Sequence, residues 1–144
     1  MESGFSTVDV EIIYSLDLSV CKLIKPVDYI SKSGMHYRIP IGASTDFASV
    51  PKELWGALLF LIPTGWYSLP AELHDSAYQN TLQVIDGQCN IMIANLNEQE
   101  SNDLLLEAMQ SIKPQPTLFE KAQMDAIYEG VTIGGWHAFK EDRS

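Results

Sequence analysis

Basic residues are few in this chain: nine Lys and Arg stand against nineteen Asp and Glu, a formal charge of -10. A surface of that sign repels phosphate backbones and anionic headgroups, so nucleic acid is not expected as a partner. Cysteine is scarcer still. Cys21 and Cys89 form no CxxC pair and have no spacing typical of a zinc site or disulfide framework, which points to a reducing compartment. Long apolar runs are missing too: the longest, Leu54 to Trp66, covers 13 residues and contains Pro63, against roughly 20 for a membrane span. The opening MESGFSTVDVEIIY lacks a basic start followed by an apolar run, so no secretory leader is expected. No repeat, charge block or Pro/Gly-rich linker divides the chain. These absences describe a soluble protein, cytoplasmic when made, with no transmembrane segment.

What is present is enough for one core. The 144 residues, 46% of them apolar, suit a single domain spanning residues 1–144. Val8, Val10, Ile12 and Tyr14 alternate with Asp9, Glu11 and Ile13, which predicts a first strand. Cys21 to Ile30 and Met35 to Ile41 predict two more, with Lys32-Ser33-Gly34 as the turn between them. Leu54, Trp55, Leu58, Leu59 and Ile62 recur at helical spacing between Pro51 and Pro63-Thr64-Gly65, predicting a short buried helix over 52–62. A second helix is expected from Ser68 to Asn80, with Leu69, Leu73 and Ala77 inward. Asp86-Gly87 predicts a hairpin between Leu82-Gln83-Val84-Ile85 and Asn90-Ile91-Met92-Ile93. Asn97 with Glu100, and Thr117 with Glu120, read as capping boxes that open helices over 98–112 and 118–129. The expected class is α+β: a small N-terminal antiparallel sheet followed by four helices, with an inserted β-hairpin.

Acid/base chemistry near neutral pH has few places to reside, because the only histidines are His36, His74 and His137. His74 is the best placed of the three, on the second helix in the stretch Leu73-His74-Asp75-Ser76-Ala77-Tyr78. Tyr78, at i+4, shares its face. Asp75 projects about 100° further round, so the helical geometry gives His74 and Asp75 separate tasks. His74 is a candidate general base and Asp75 a candidate ligand for a divalent cation, calcium or zinc. The plainer account makes His74 a hydrogen-bonded residue at the core margin and Asp75 a solvated one. A second candidate is the run Gly42 to Pro51, whose Asp46 could coordinate a cation or take the proton of His74. Thr45 and Ser49 flank it, and all three also suit turns and helix caps. Gly134-Gly135-Trp136-His137 lacks the rest of a zinc-peptidase signature, and Ser76 lies in no GxSxG elbow.

Taken in order, IPIG at 39–42, TDFASVP at 45–51, Leu54-Trp55, LHDSAY at 73–78, LLLEAM at 104–109 and YEGVTIGGWHAF at 128–139 resemble the phage and prophage domain-of-unknown-function family thirteen fifty-three. The resemblance covers about residues 36–139 and implies a bacteriophage or prophage origin. It implies no activity. Members usually carry an aspartate in the helix after the HD motif, at a position that either Asn102 or Asp103 could fill. A looser similarity links HDSAY to viral-type calcium-dependent phospholipases. It implies His74 deprotonating water, Asp103 bracing it, and Asp75 holding calcium with backbone carbonyls near Pro63-Thr64-Gly65.

Two functions are therefore expected to compete. One is a metal-dependent hydrolase acting on a lipid or cell-envelope bond, with His74, Asp75, Asp46 and Asp103 in its site. The other is a non-enzymatic virion or tail accessory, or a host-directed binder, whose partners are other phage proteins or a host protein. Either would be made in the host cytoplasm, and the second would be virion-associated.

Overall fold

The structure is a computed structural model that describes residues 3–6, 12–14, 21–45 and 66–142. Eight strands and three helices are present among them. The strands are β1 (Gly4–Phe5), β2 (Ile12–Tyr14), β3 (Cys21–Leu23), β4 (Val27–Ile30), β5 (His36–Ile39), β6 (Ser44–Thr45), β7 (Gln83–Ile85) and β8 (Ile91–Ile93). The helices are α1 (Ser68–Tyr78), α2 (Glu98–Ile112) and α3 (Leu118–Asp142). The class is α+β, as expected. The helix predicted over 52–62 lies outside the described residues, as does most of the strand predicted from Val8.

The sheets differ from the expected N-terminal meander. One is five-stranded and antiparallel in the order β1-β4-β5-β7-β8, and the other is three-stranded in the order β2-β3-β6. The segment Cys21 to Ile30, read as one strand, is split between them at Ile24-Lys25-Pro26. Pro26 has no N–H to give a ladder, so the chain leaves one sheet and enters the other there. The hairpin is not a separate insertion either. Tyr37 pairs with Val84 and Val84 with Met92, so β7 and β8 extend the main sheet.

Local signals did place the turns and caps. Gly34 takes φ 88° in the β4–β5 turn, a conformation that favours glycine. In the β7–β8 loop, Asp86 Oδ1 accepts from the N–H groups of Gln88 and Asn90. There the left-handed residue is Cys89, at φ 64°, not Gly87. Both capping boxes form: Asn97 with Glu100 and Thr117 with Glu120. The last helix, however, runs on past the predicted end at residue 129 to Asp142.

The core has two centres. Leu23, Val27, Tyr29, Ile39, Leu73, Leu82 and Ala108 join both sheets to α1 and α2. Tyr67, Leu105, Met109, Met124 and Ile127 join α1, α2 and α3. Because α1 also packs against β6, it is enclosed on several sides. Every residue from Pro70 to Tyr78 is buried except Asp75, which is half-buried.

Candidate functional site

Enclosing α1 forces its polar residues to find partners inside the protein, since an unpaired buried polar group costs about 1–3 kcal/mol. His74 is 2% exposed and Asn102, from α2, is also 2% exposed. His74 Nε2 lies 2.9 Å from Asn102 Oδ1. The Tyr78 hydroxyl donates to that same oxygen at 2.7 Å. The His74 and Tyr78 rings also lie against one another, with centroids 4.0 Å apart. The expected i, i+4 relation of these two residues is therefore a direct contact, and α2 supplies the group that ties them together.

This arrangement sets the condition for a hydrogen bond between His74 and Asn102. A carbonyl oxygen has two lone pairs and no proton, so Asn102 Oδ1 accepts from Tyr78 Oη–H and from His74 Nε2–H together. In a neutral ring bonded in this way the lone pair is on Nδ1. That nitrogen stands 3.5 Å from Asp75 Oδ1, beyond the usual hydrogen-bond length but within ion-pairing range. The angular separation of about 100° expected for His74 and Asp75 does not keep their side chains apart. The Cα–Cβ directions do diverge, but the Asp75 side chain reaches the near edge of the ring.

The α2 residue beside His74 is not the one the phospholipase-like scheme expects. Asp103 is exposed and accepts hydrogen bonds from Gln99 Nε2 at 2.7 Å and Tyr128 Oη at 3.0 Å. It is not brought to His74, because α2 turns Leu105, Ala108 and Met109 inward and leaves Asp103 on the opposite face. Asn102 stands at the histidine instead.

Of the loop candidates, Asp46 and Ser49 lie outside the described residues. Thr45 ends β6, where it pairs with Cys21. Since β6 packs on α1, the described start of the TDFASVP segment does meet the HD helix.

Two further polar residues of α1 are buried that the sequence pattern does not mark as such. Glu72 is buried although ionisable, and Ser76 is buried with no hydrogen-bond partner for its Oγ among the described residues. They are four apart and share a helix face. Ala71 was the available signal, because a small apolar residue opposite the Leu73 stripe implies burial on a second side.

Among the described residues, no three His, Cys, Asp or Glu side chains gather into a metal set. Asp75 is the residue of this region suited to a divalent cation, as a carboxylate at the helix edge whose remaining coordination would come from carbonyls or water. A cavity of about 1010 Å³ lies elsewhere, lined by Lys32, Lys113, Lys121 and Asp125 among others. It contains no residue of α1, and its Lys113 ammonium is paired with Glu120 at 2.7 Å.

Residues 21–126 match the family model described as protein of unknown function (DUF1353). The YEGVTIGGWHAF segment lies beyond the matched residues. No curated protein and no solved structure matches the chain.

Proposed function

The chain belongs to the DUF1353 family of unknown function, and from the geometry around His74 we propose that it is a small hydrolase of phage or prophage origin, acting on a lipid or cell-envelope bond. One observation carries the reading: the Asn102 amide holds His74 Nε2 while His74 Nδ1 faces Asp75 at 3.5 Å. An amide carbonyl cannot take a proton from Nε2, so Nδ1 is the atom free to act as general base. The imidazolium formed when Nδ1 takes a proton from water is stabilised by the Asp75 carboxylate. Asn102 and Tyr78 keep the ring from turning, which preserves the position of the lone pair. Asp75 is also the carboxylate that would hold a calcium or zinc ion. Such an ion, when bound, polarises the scissile group and stabilises the developing oxyanion.

A different observation favours a second reading. His74 is almost wholly enclosed, and its brace is a neutral amide instead of an acid. In that reading His74, Asn102 and Tyr78 cross-link α1 to α2 in a non-enzymatic virion or host-directed protein.

Hydrolysis of chromogenic fatty-acyl esters and of phosphatidylcholine vesicles, with calcium, zinc or chelator, separates the two. The hydrolase reading expects cation-dependent turnover that falls roughly 100-fold or more in His74→Gln, together with a melting temperature raised by the active cation in the wild type but not in Asp75→Asn. No turnover and no cation-dependent shift, with His74→Gln and Asp75→Asn still folded, would leave the structural reading.

A further inference from the structure

We infer that two copies of this chain join through β8, pairing antiparallel about Met92 to make one continuous sheet. Among the described residues β8 is an edge of the five-stranded sheet, and its side chains are exposed on both faces: Ile91 by 54%, Met92 by 58% and Ile93 by 49%. An open apolar edge is a template for another strand, and proteins ordinarily guard such edges with lysine or proline. This one carries neither.

The backbone bonding fixes which groups are offered. Asp86 N–H donates to Asn90 O, and Ala94 N–H donates to Leu82 O, with Val84 opposite Met92 between them. Residues 90, 92 and 94 therefore turn their backbone groups toward β7. Antiparallel bonding alternates along the strand, so Ile91 and Ile93 turn their N–H and C=O groups to the free edge.

The strand is its own complement. Ile91-Met92-Ile93 reads the same in both directions. A second copy running antiparallel places Ile91 opposite the partner's Ile93, where each pair exchanges both hydrogen bonds. Met92 then lies opposite the partner's Met92 in the closer, non-hydrogen-bonded type of pair, with Cα atoms about 4.5 Å apart. A two-fold contact of this kind is the commonest form of closed assembly. Left-handed residues at Cys89 and Asn95 bound the edge on either side.

Charge selects the same occupant. Two copies carrying -10 each repel over most of their surfaces. The segment from Gly87 to Asn97 contains no charged residue, so a second copy can approach there without placing like charges opposite one another.

Sedimentation of the full chain tests this. The wild type is expected to run as a dimer. Met92→Lys, which sets two ammonium groups face to face, and Ile93→Pro, which removes one outward N–H while sparing the bonds to β7, are expected to run as monomers with wild-type circular dichroism. In a Cys89→Ser background, Met92→Cys should link the two copies under mild oxidation, because the dyad pair falls within disulfide reach. The native Cys89 residues, about 20 Å apart across the dyad, should not. A monomeric wild type, which would leave the edge to a strand of some other protein, overturns the inference. So does a dimer unaffected by both Met92→Lys and Ile93→Pro, or a folded Met92→Cys protein that does not link.

Discussion

Asn102 ties two residues of α1 to α2 through a single oxygen. Its carbonyl satisfies two buried donors, so Asn102→Leu leaves the Tyr78 hydroxyl and one His74 nitrogen without an acceptor. The expected loss is about 2–4 kcal/mol in chemical unfolding, whereas Asn102→Asp keeps an acceptor in place and should be tolerated far better near neutral pH. Equal losses for the two substitutions would mean that Oδ1 is not the group that matters. The sequence made Asn102 visible only as one of two possible positions, because a periodicity places a residue on a helix face but not against a particular ring. For Asp75 the reason is related: directions at Cβ say little about where a flexible carboxylate ends. Elsewhere, a local arrangement perturbs an acid directly. The Arg38 guanidinium, in a two-point hydrogen bond, holds the Asp28 carboxyl below its usual range, and His36 lies 3.0 Å from the same carboxylate.

At the scale of elements, the signals written in adjacent residues were the legible ones. Asn97 caps α2 through Glu100 N–H, and the Glu100 side chain returns the bond to Asn97 N–H. Asn97→Ala should therefore cost about 1 kcal/mol in equilibrium unfolding. An unchanged midpoint would show that packing alone sets the helix start. The Lys32-Ser33-Gly34 turn and the inward stripe of α1 were readable for the same reason, since turn chemistry and helical period are local. Strand partnership is not local. Nothing in Cys21 to Ile30 states that its two halves serve different sheets, although Pro26 marks where the ladder must break. The β7–β8 hairpin is likewise visible as a hairpin, but its attachment to β5 depends on residues 47 positions away, as Tyr37 and Val84 illustrate.

Across the whole molecule, α1 is held between sheets and helices, and that enclosure turns a polar motif into a fixed geometry. The same enclosure explains why the LHDSAY stretch could be noticed in the sequence without its chemistry being readable there. Half of the arrangement comes from α2, and β6, which ends at Thr45, packs against α1. No helix among the described residues is long and apolar enough to cross a membrane. Action on a lipid or envelope bond would therefore take place without a helical span contributed by those residues.

The hydrolase proposal depends on which nitrogen of His74 is free. Long-range proton–nitrogen NMR of the imidazole side chains measures this directly, and a chain with three histidines makes the signal assignable through His74→Gln. The account predicts the neutral tautomer protonated at Nε2, with a Nδ1 resonance of the unprotonated type. A ring protonated at Nδ1 and bare at Nε2 would contradict it, because the Asn102 carbonyl would then face a lone pair and the proposed base would be the nitrogen already occupied.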